Sequence, residues 1–170
     1  GHQMSVEKKH LLVVDDDDLM SEMLKEVLHG EFHITQALTG DDALILFQDS
    51  ASEYSVVLSD IIMPGNVTGI DLLGKIRKSH PYHPSVILMT GYSDTSIREC
   101  YHLGAYAYIR KPFGIDILLS LLRHAAIPFE TRYQNHCNNV TFSFQFSLPS
   151  FNDFGGSHTF QLGHGGILIT

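Results

Sequence analysis

The chain has 170 residues, 44% of them hydrophobic, and a formal net charge of −8. That is enough for one ordinary domain with a core and some chain left over. The acidic balance argues against a nucleic-acid-binding surface, which needs a basic patch, and no apolar stretch approaches the ~18 residues of a membrane span.

Residues 1–8 read as a tail, with Gly1-His2-Gln3 ahead of Met4 as an expression remnant. No charged start leads into an apolar segment and cleavage site, so no secretion leader is expected. The two cysteines, Cys100 and Cys137, lie far apart, which gives neither a metal-ligand spacing nor a disulfide framework. A cytoplasmic protein with reduced thiols is the expectation.

Residues 11–14, Leu-Leu-Val-Val, form an apolar run that predicts a fully buried strand. Four aspartates follow, Asp15 to Asp18. Carboxylates at a strand end emerge together at the rim of a sheet and repel one another. A hard divalent cation with oxygen ligands relieves this, and Mg²⁺ is the usual one where phosphate is handled. The spacing of Leu19, Met20, Met23, Leu24, Val27 and Leu28 predicts a helix over 19–28, capped by Asp17 or Asp18. Met20 and Met23 are expected in the core.

A short strand is predicted at 33–37, then a helix capped by Thr39, then a second buried strand at 55–59 that ends at Asp60. Pro64-Gly65-Asn66 marks a loop. A helix over 69–78 and a strand over 86–89, ending at Thr90, come next. A fourth helix starts at Ser93 or Asp94 and stops at Gly104. The fifth strand, 107–110, leads into Lys111-Pro112, where a cis bond suits a tight turn. A last helix covers 115–124.

From 9 to 126, five strands therefore alternate with five helices. Such alternation implies parallel crossovers and a doubly wound α/β sheet covered on both faces. Sites in these sheets form at the carboxyl ends of the strands. Asp15 and Asp16, Asp60, Thr90 and Lys111 all sit at such ends. Each alone has a bland explanation as a turn former or cap; the set is hard to attribute to turns.

Residues 127–170 differ in character. They hold three charged residues, Glu130, Arg132 and Asp153, and read as a short β-rich extension. Residues 140–148 alternate apolar and polar with period two; 159–162 and 167–169 read as further strands around a Gly163-His164-Gly165-Gly166 turn. The expected fates are packing on the first domain, pairing with a second copy in a homodimer, or partial disorder. The eleven histidines are scattered and read as surface residues.

A carboxylate at a strand end can attack phosphorus and form an aspartyl phosphate. Phosphoryl transfer asks the protein mainly for positioning and charge neutralisation. Asp60 is the candidate nucleophile, Asp15 and Asp16 the metal site, and Lys111 and Thr90 the partners of phosphoryl oxygens.

These residues carry a family resemblance. LLVVDD at 11–16, VVLSDIIMPG at 56–65, VILMTGYSD at 86–94 and GAYAYIRKPF at 104–113 together resemble the receiver domain of two-component response regulators. The resemblance implies a flavodoxin-like sheet of strand order 2-1-3-4-5. It implies Asp60 as phosphoacceptor, Mg²⁺ held by Asp15, Asp16, Asp60 and the Ile62 carbonyl, and Thr90 and Tyr108 as switch residues. It also implies a histidine kinase or phosphotransfer domain as donor. The output face would be the fourth helix, fifth strand and fifth helix; from charge and hydropathy, neither direct nucleic-acid binding nor membrane insertion is expected. At most, such a domain phosphorylates itself from small donors and loses the phosphate again. The loop 64–69 is one residue longer than the commonest receiver loop, which is similar to receivers of hybrid sensor kinases. The tail is too short, uncharged and strand-like for a helix-turn-helix output.

Two other readings compete. Val13-Val14-Asp15-Asp16-Asp17 resembles the nucleophile strand of haloacid-dehalogenase phosphatases, with Asp15 as nucleophile. That reading leaves Asp60 without a role and offers only Asp116 for the acidic pair that such enzymes place after the lysine. A phosphorylation-independent interaction domain of the same fold is the third reading, against which the complete set of site residues argues.

Overall fold

The computed structural model describes residues 7–81, 83–91 and 102–127, together with the strands at 160–162 and 167–169. The elements in order are β1 (Lys9–Val14), α1 (Asp18–Leu28), β2 (Phe32–Ala37), α2 (Gly40–Ser50), β3 (Tyr54–Asp60), α3 (Gly69–Ser79), β4 (Ser85–Thr90), β5 (Ala107–Arg110) and α4 (Ile115–Ala125). A single 3₁₀ turn, Ala51–Glu53, joins α2 to β3. The strands order as β2-β1-β3-β4-β5 and every pair is parallel. This is the predicted doubly wound, flavodoxin-like sheet. Most of the helix predicted from Ser93 or Asp94 to Gly104 lies outside the described residues, as does the strand predicted at 140–148.

Alternation along the strands divides the core in two. On β1, Leu11 and Val13 face one layer, with Leu24 and Leu28 of α1 and Ile117, Leu118, Leu121 and Leu122 of α4. Leu12 and Val14 face the other layer, with Phe47 of α2 and Leu72, Leu73 and Ile76 of α3. Burial on both faces is why the central strands read as continuous apolar runs rather than alternating ones. Each such Val or Leu contributes roughly 1.5–3 kcal/mol by leaving water.

The helix starts follow local chemistry. Asp17 caps α1 by accepting from Leu19 N at 2.9 Å, and Thr39 caps α2 by accepting from Asp42 N at 3.1 Å. Thr68 and Asp71 form a reciprocal capping box on α3, which satisfies two of the amide donors that a helix start leaves open. One expectation fails on α1. Met23 is exposed, as are Leu19 and Val27, so these three form an outer stripe; Met20 packs at the core edge. The helix is apolar around more of its circumference than the sheet covers, and periodicity alone cannot say which face the sheet takes.

The domain is tied together at the end of the sheet opposite the acidic residues. Lys9 Nζ donates to Ala126 O at 3.0 Å, Ser85 Oγ to Ala125 O at 2.8 Å, and Arg123 pairs with Glu31 through two bonds of 2.9 and 3.1 Å. In the extension, Phe160–Leu162 and Ile167–Ile169 form an antiparallel hairpin, two of the three strands predicted there.

Candidate functional site

Parallel pairing delivers the polar residues to one rim. Val14 lies beside Ser59, Asp60 beside Met89, and Thr90 beside Arg110. Asp15, Asp60, Thr90 and Lys111 therefore leave four neighbouring strands at one level. Backbone bonds hold that level: Asp15 N donates to Ala37 O at 3.1 Å, Ile61 N to Met89 O at 2.9 Å, and Lys111 N to Thr90 O at 2.7 Å.

The carboxylates of Asp15, Asp16 and Asp60 each offer an oxygen within 4.8 Å of the others. Asp15 and Asp60 are buried and Asp16 is exposed. Lys111 Nζ lies 2.8 Å from Asp60 Oδ1 but 3.9 Å from Asp15 Oδ2. Lys111 thus belongs mainly to Asp60. Its peptide bond to Pro112 is cis, as the sequence suggested.

Burial pushes the Asp15 carboxyl up to about 6, against an opposing hydrogen bond of 2.9 Å from Asp17 N to Oδ1. The neighbouring Asp60 carboxylate raises it further, and Lys111 offsets only part of this. One lysine does not balance the cluster. A shortage of positive charge among converging hard oxygens is the environment that suits a small divalent cation.

The sign of the Asp15 effect is testable. Between about 4 and about 6 Asp15 holds more proton in the folded chain than in the unfolded one, so this residue's contribution to stability falls as pH rises through that window. In divalent-free buffer, urea melts of wild type should weaken over that range relative to Asp15→Asn, which has no proton to lose. At pH 7 the variant should be the more stable of the two. Equal pH profiles would contradict the crowded-carboxylate account.

Thr90 is buried at the end of β4, beyond the Asp60–Met89 pair. Tyr108 lies opposite Leu88 with its ring buried in the α2–α3 layer. Ile62 stands at the rim with an exposed side chain. Asp17 caps a helix, as expected, and Asp18 accepts a hydrogen bond from Gln36.

Three supports escape a reading of the sequence. Asp41 Oδ2 accepts from Asn66 N at 3.2 Å and so fastens the loop after β3 to the start of α2; Gly65 turns beside it at φ +101°. Ser59 Oγ donates to Asp60 O at 2.9 Å beneath the site. Gly69 approaches the Asp60 backbone so closely that a Cβ there would lie 2.2 Å from Asp60 O. Glycine after Thr68 hints at the last; nothing in the sequence signals the other two.

A five-stranded 2-1-3-4-5 sheet with an aspartate trio and a lysine at its carboxyl rim is the architecture of receiver domains, a class of phosphoacceptor signalling domains rather than enzymes in the ordinary sense. Residues 11–123 match the response regulator receiver domain, and the chain belongs to that family. It is 36% identical over 123 residues to the DNA-binding transcriptional regulator NtrC of Escherichia coli K12, covering 72% of this chain and 26% of that protein. Among solved structures, the receiver domain protein from Clostridium thermocellum aligns at TM-score 0.63 and 28% identity, over 69% of this chain and 94% of that one. The receiver domain of NtrX from Brucella abortus aligns at TM-score 0.60 and 31% identity, over 68% and 97%. The chain spans about a quarter of the length of NtrC. Membership favours the receiver reading over the phosphatase one. Receiver domains act between histidine kinases and output domains, and typically use Mg²⁺ in an acidic pocket such as this aspartate cluster.

Proposed function

We propose that Asp60 is the residue that takes the phosphoryl group, with Asp15, Asp16 and the Ile62 carbonyl completing a Mg²⁺ site around it. The observation that carries this reading is the convergence of three carboxylates and one lysine at a single rim. In the transfer, an Asp60 carboxylate oxygen attacks phosphorus; a P–O bond forms as the P–N bond of a donor phosphohistidine breaks. Bound Mg²⁺ supplies charge neutralisation for the phosphoryl oxygens. Lys111 is already within 2.8 Å of Asp60 Oδ1 and holds that carboxylate in place. Thr90 offers a hydroxyl from the neighbouring strand. Tyr108, two strands from Asp60, follows Thr90 as the switch, and the face around β5 and α4 presents the change to an output partner. A small donor such as acetyl phosphate serves in place of the kinase, and the label is later lost by hydrolysis.

The setting that goes with this chemistry is the cytoplasm. Among the described residues, no helix is long and apolar enough to cross a membrane.

Acetyl phosphate with Mg²⁺ should label the chain once, and EDTA should prevent it. Repeated turnover of a small phosphate ester that depends on Asp15 would overturn the reading in favour of a phosphatase.

A further inference from the structure

His10 and His33 lie 23 positions apart in sequence, and the parallel register sets them side by side on β1 and β2. Their ring centres are 4.8 Å apart and the planes are tilted by 42°. His10 is half-buried and His33 exposed. Neither makes a hydrogen bond to another of the described residues. Other histidines are engaged: His29 with Glu26 O, His80 with Ser79 Oγ and His124 with the Tyr106 hydroxyl.

Two imidazoles at this separation are close enough for one ion to reach both. A ligating nitrogen sits about 2.0–2.1 Å from Zn²⁺, which puts each ring centre about 3.2 Å from the ion. At ligand angles between square-planar and tetrahedral, two such rings have centres roughly 4.5–5.2 Å apart. The observed separation falls inside that range. Imidazole selects borderline ions such as Zn²⁺, Cu²⁺ or Ni²⁺ over Mg²⁺ and Ca²⁺.

We propose that His10 and His33 form a second cation site, which takes a borderline transition-metal ion through two imidazole nitrogens, with water completing its coordination. The site opens at the start of β1, and the aspartate cluster lies just past the end of the same strand. One strand therefore carries a soft-leaning site at one end and a hard one at the other. The ion joins edge strand β2 to central strand β1. Because the unfolded chain does not hold the two rings together, the ion stabilises the fold by mass action. Nothing in this depends on the role of Asp60.

The test is a ZnCl₂ titration of the full chain, followed by the imidazole C–H resonances and by thermal melting. Wild type, His10→Gln, His33→Gln and His33→Phe are compared, with circular dichroism to check the fold. His33 is exposed, so its variants should fold. Wild type should show one saturable site, a rise in melting temperature, and shifts on both His10 and His33. Either single loss should weaken that site at least about tenfold, since loss of an outer-shell partner alone costs that much. Mg²⁺ should not move these resonances. Zinc shifts and melting that are unchanged in the histidine variants would overturn the proposal. So would zinc stabilisation that vanishes in Asp15→Asn but persists in the histidine variants, since that would place the ion at the carboxylates.

Discussion

Replacing Asp60 by asparagine should reduce labelling by acetyl phosphate and Mg²⁺ to background while leaving the fold intact. The amide keeps the size of the side chain, and its oxygen can still accept from Lys111, which lies 2.8 Å from Asp60 Oδ1. What it loses is the carboxylate nucleophile. One negative charge also leaves a crowded cluster, so the metal-free variant should melt no earlier than wild type. Phosphate incorporation read by intact mass or by mobility on a phosphate-affinity gel decides the matter. A label that persists in Asp60→Asn and disappears in Asp15→Asn would move the nucleophile to β1. A variant that fails to fold would show up in the melt and be set aside from the labelling result.

The second large effect lies in α3 and turns on two glycines of the same helix. Gly69 opens α3, and its amide donates to Ile61 O at 2.9 Å. A Cβ at this position would lie 2.2 Å from Asp60 O, 2.9 Å from Ile61 Cα and 3.0 Å from Asp60 C. All three obstacles are backbone, so no rotamer can relieve them. Gly69→Ala should therefore cost about 3 kcal/mol or more, the upper end for overpacking, and should slow labelling because the Asp60 peptide must move. Gly74, one turn and a half further on, has nothing within 4 Å of its Cβ position. Gly74→Ala should stabilise by about 0.5–1 kcal/mol, the ordinary helix preference for alanine. Urea melts of the two variants should move in opposite directions. Destabilisation of similar size in both would mean that helix propensity, and not contact with Asp60, governs position 69.

The contrast also shows what the sequence could and could not convey. Apolar runs such as Leu11-Leu12-Val13-Val14 and Val56-Val57-Leu58 read as strands buried on both faces, and their alternation with helical segments made the doubly wound class legible. The rim residues were legible because each ends a strand, and parallel strands all end on the same side. The caps at Asp17 and Thr39 were signalled by residue type, whereas the reciprocal box of Thr68 and Asp71 on α3 emerged only in the structure. The distant supports were not legible. Asp41 reaches Asn66 across 25 positions, and its Asp41-Asp42 pair reads as an ordinary acidic first turn. The histidines read as scattered because strand register, which alone brings His10 to His33, is not written in local pattern. The expectation for Met23 failed for a related reason: Leu19, Met23 and Val27 also repeat with helical period, and the pattern does not say which apolar stripe meets the sheet.

The bond from Lys9 Nζ to Ala126 O has a consequence for how such a unit travels between proteins. It ties the start of β1 to the end of α4, so the two ends of the described domain lie at the same pole. That pole is the one away from the carboxylates. A fold with adjoining entry and exit can be spliced into a host chain as a closed loop, or hung from one end, without prising its sheet apart. What is joined at that pole can then differ without touching the carboxylates at the other.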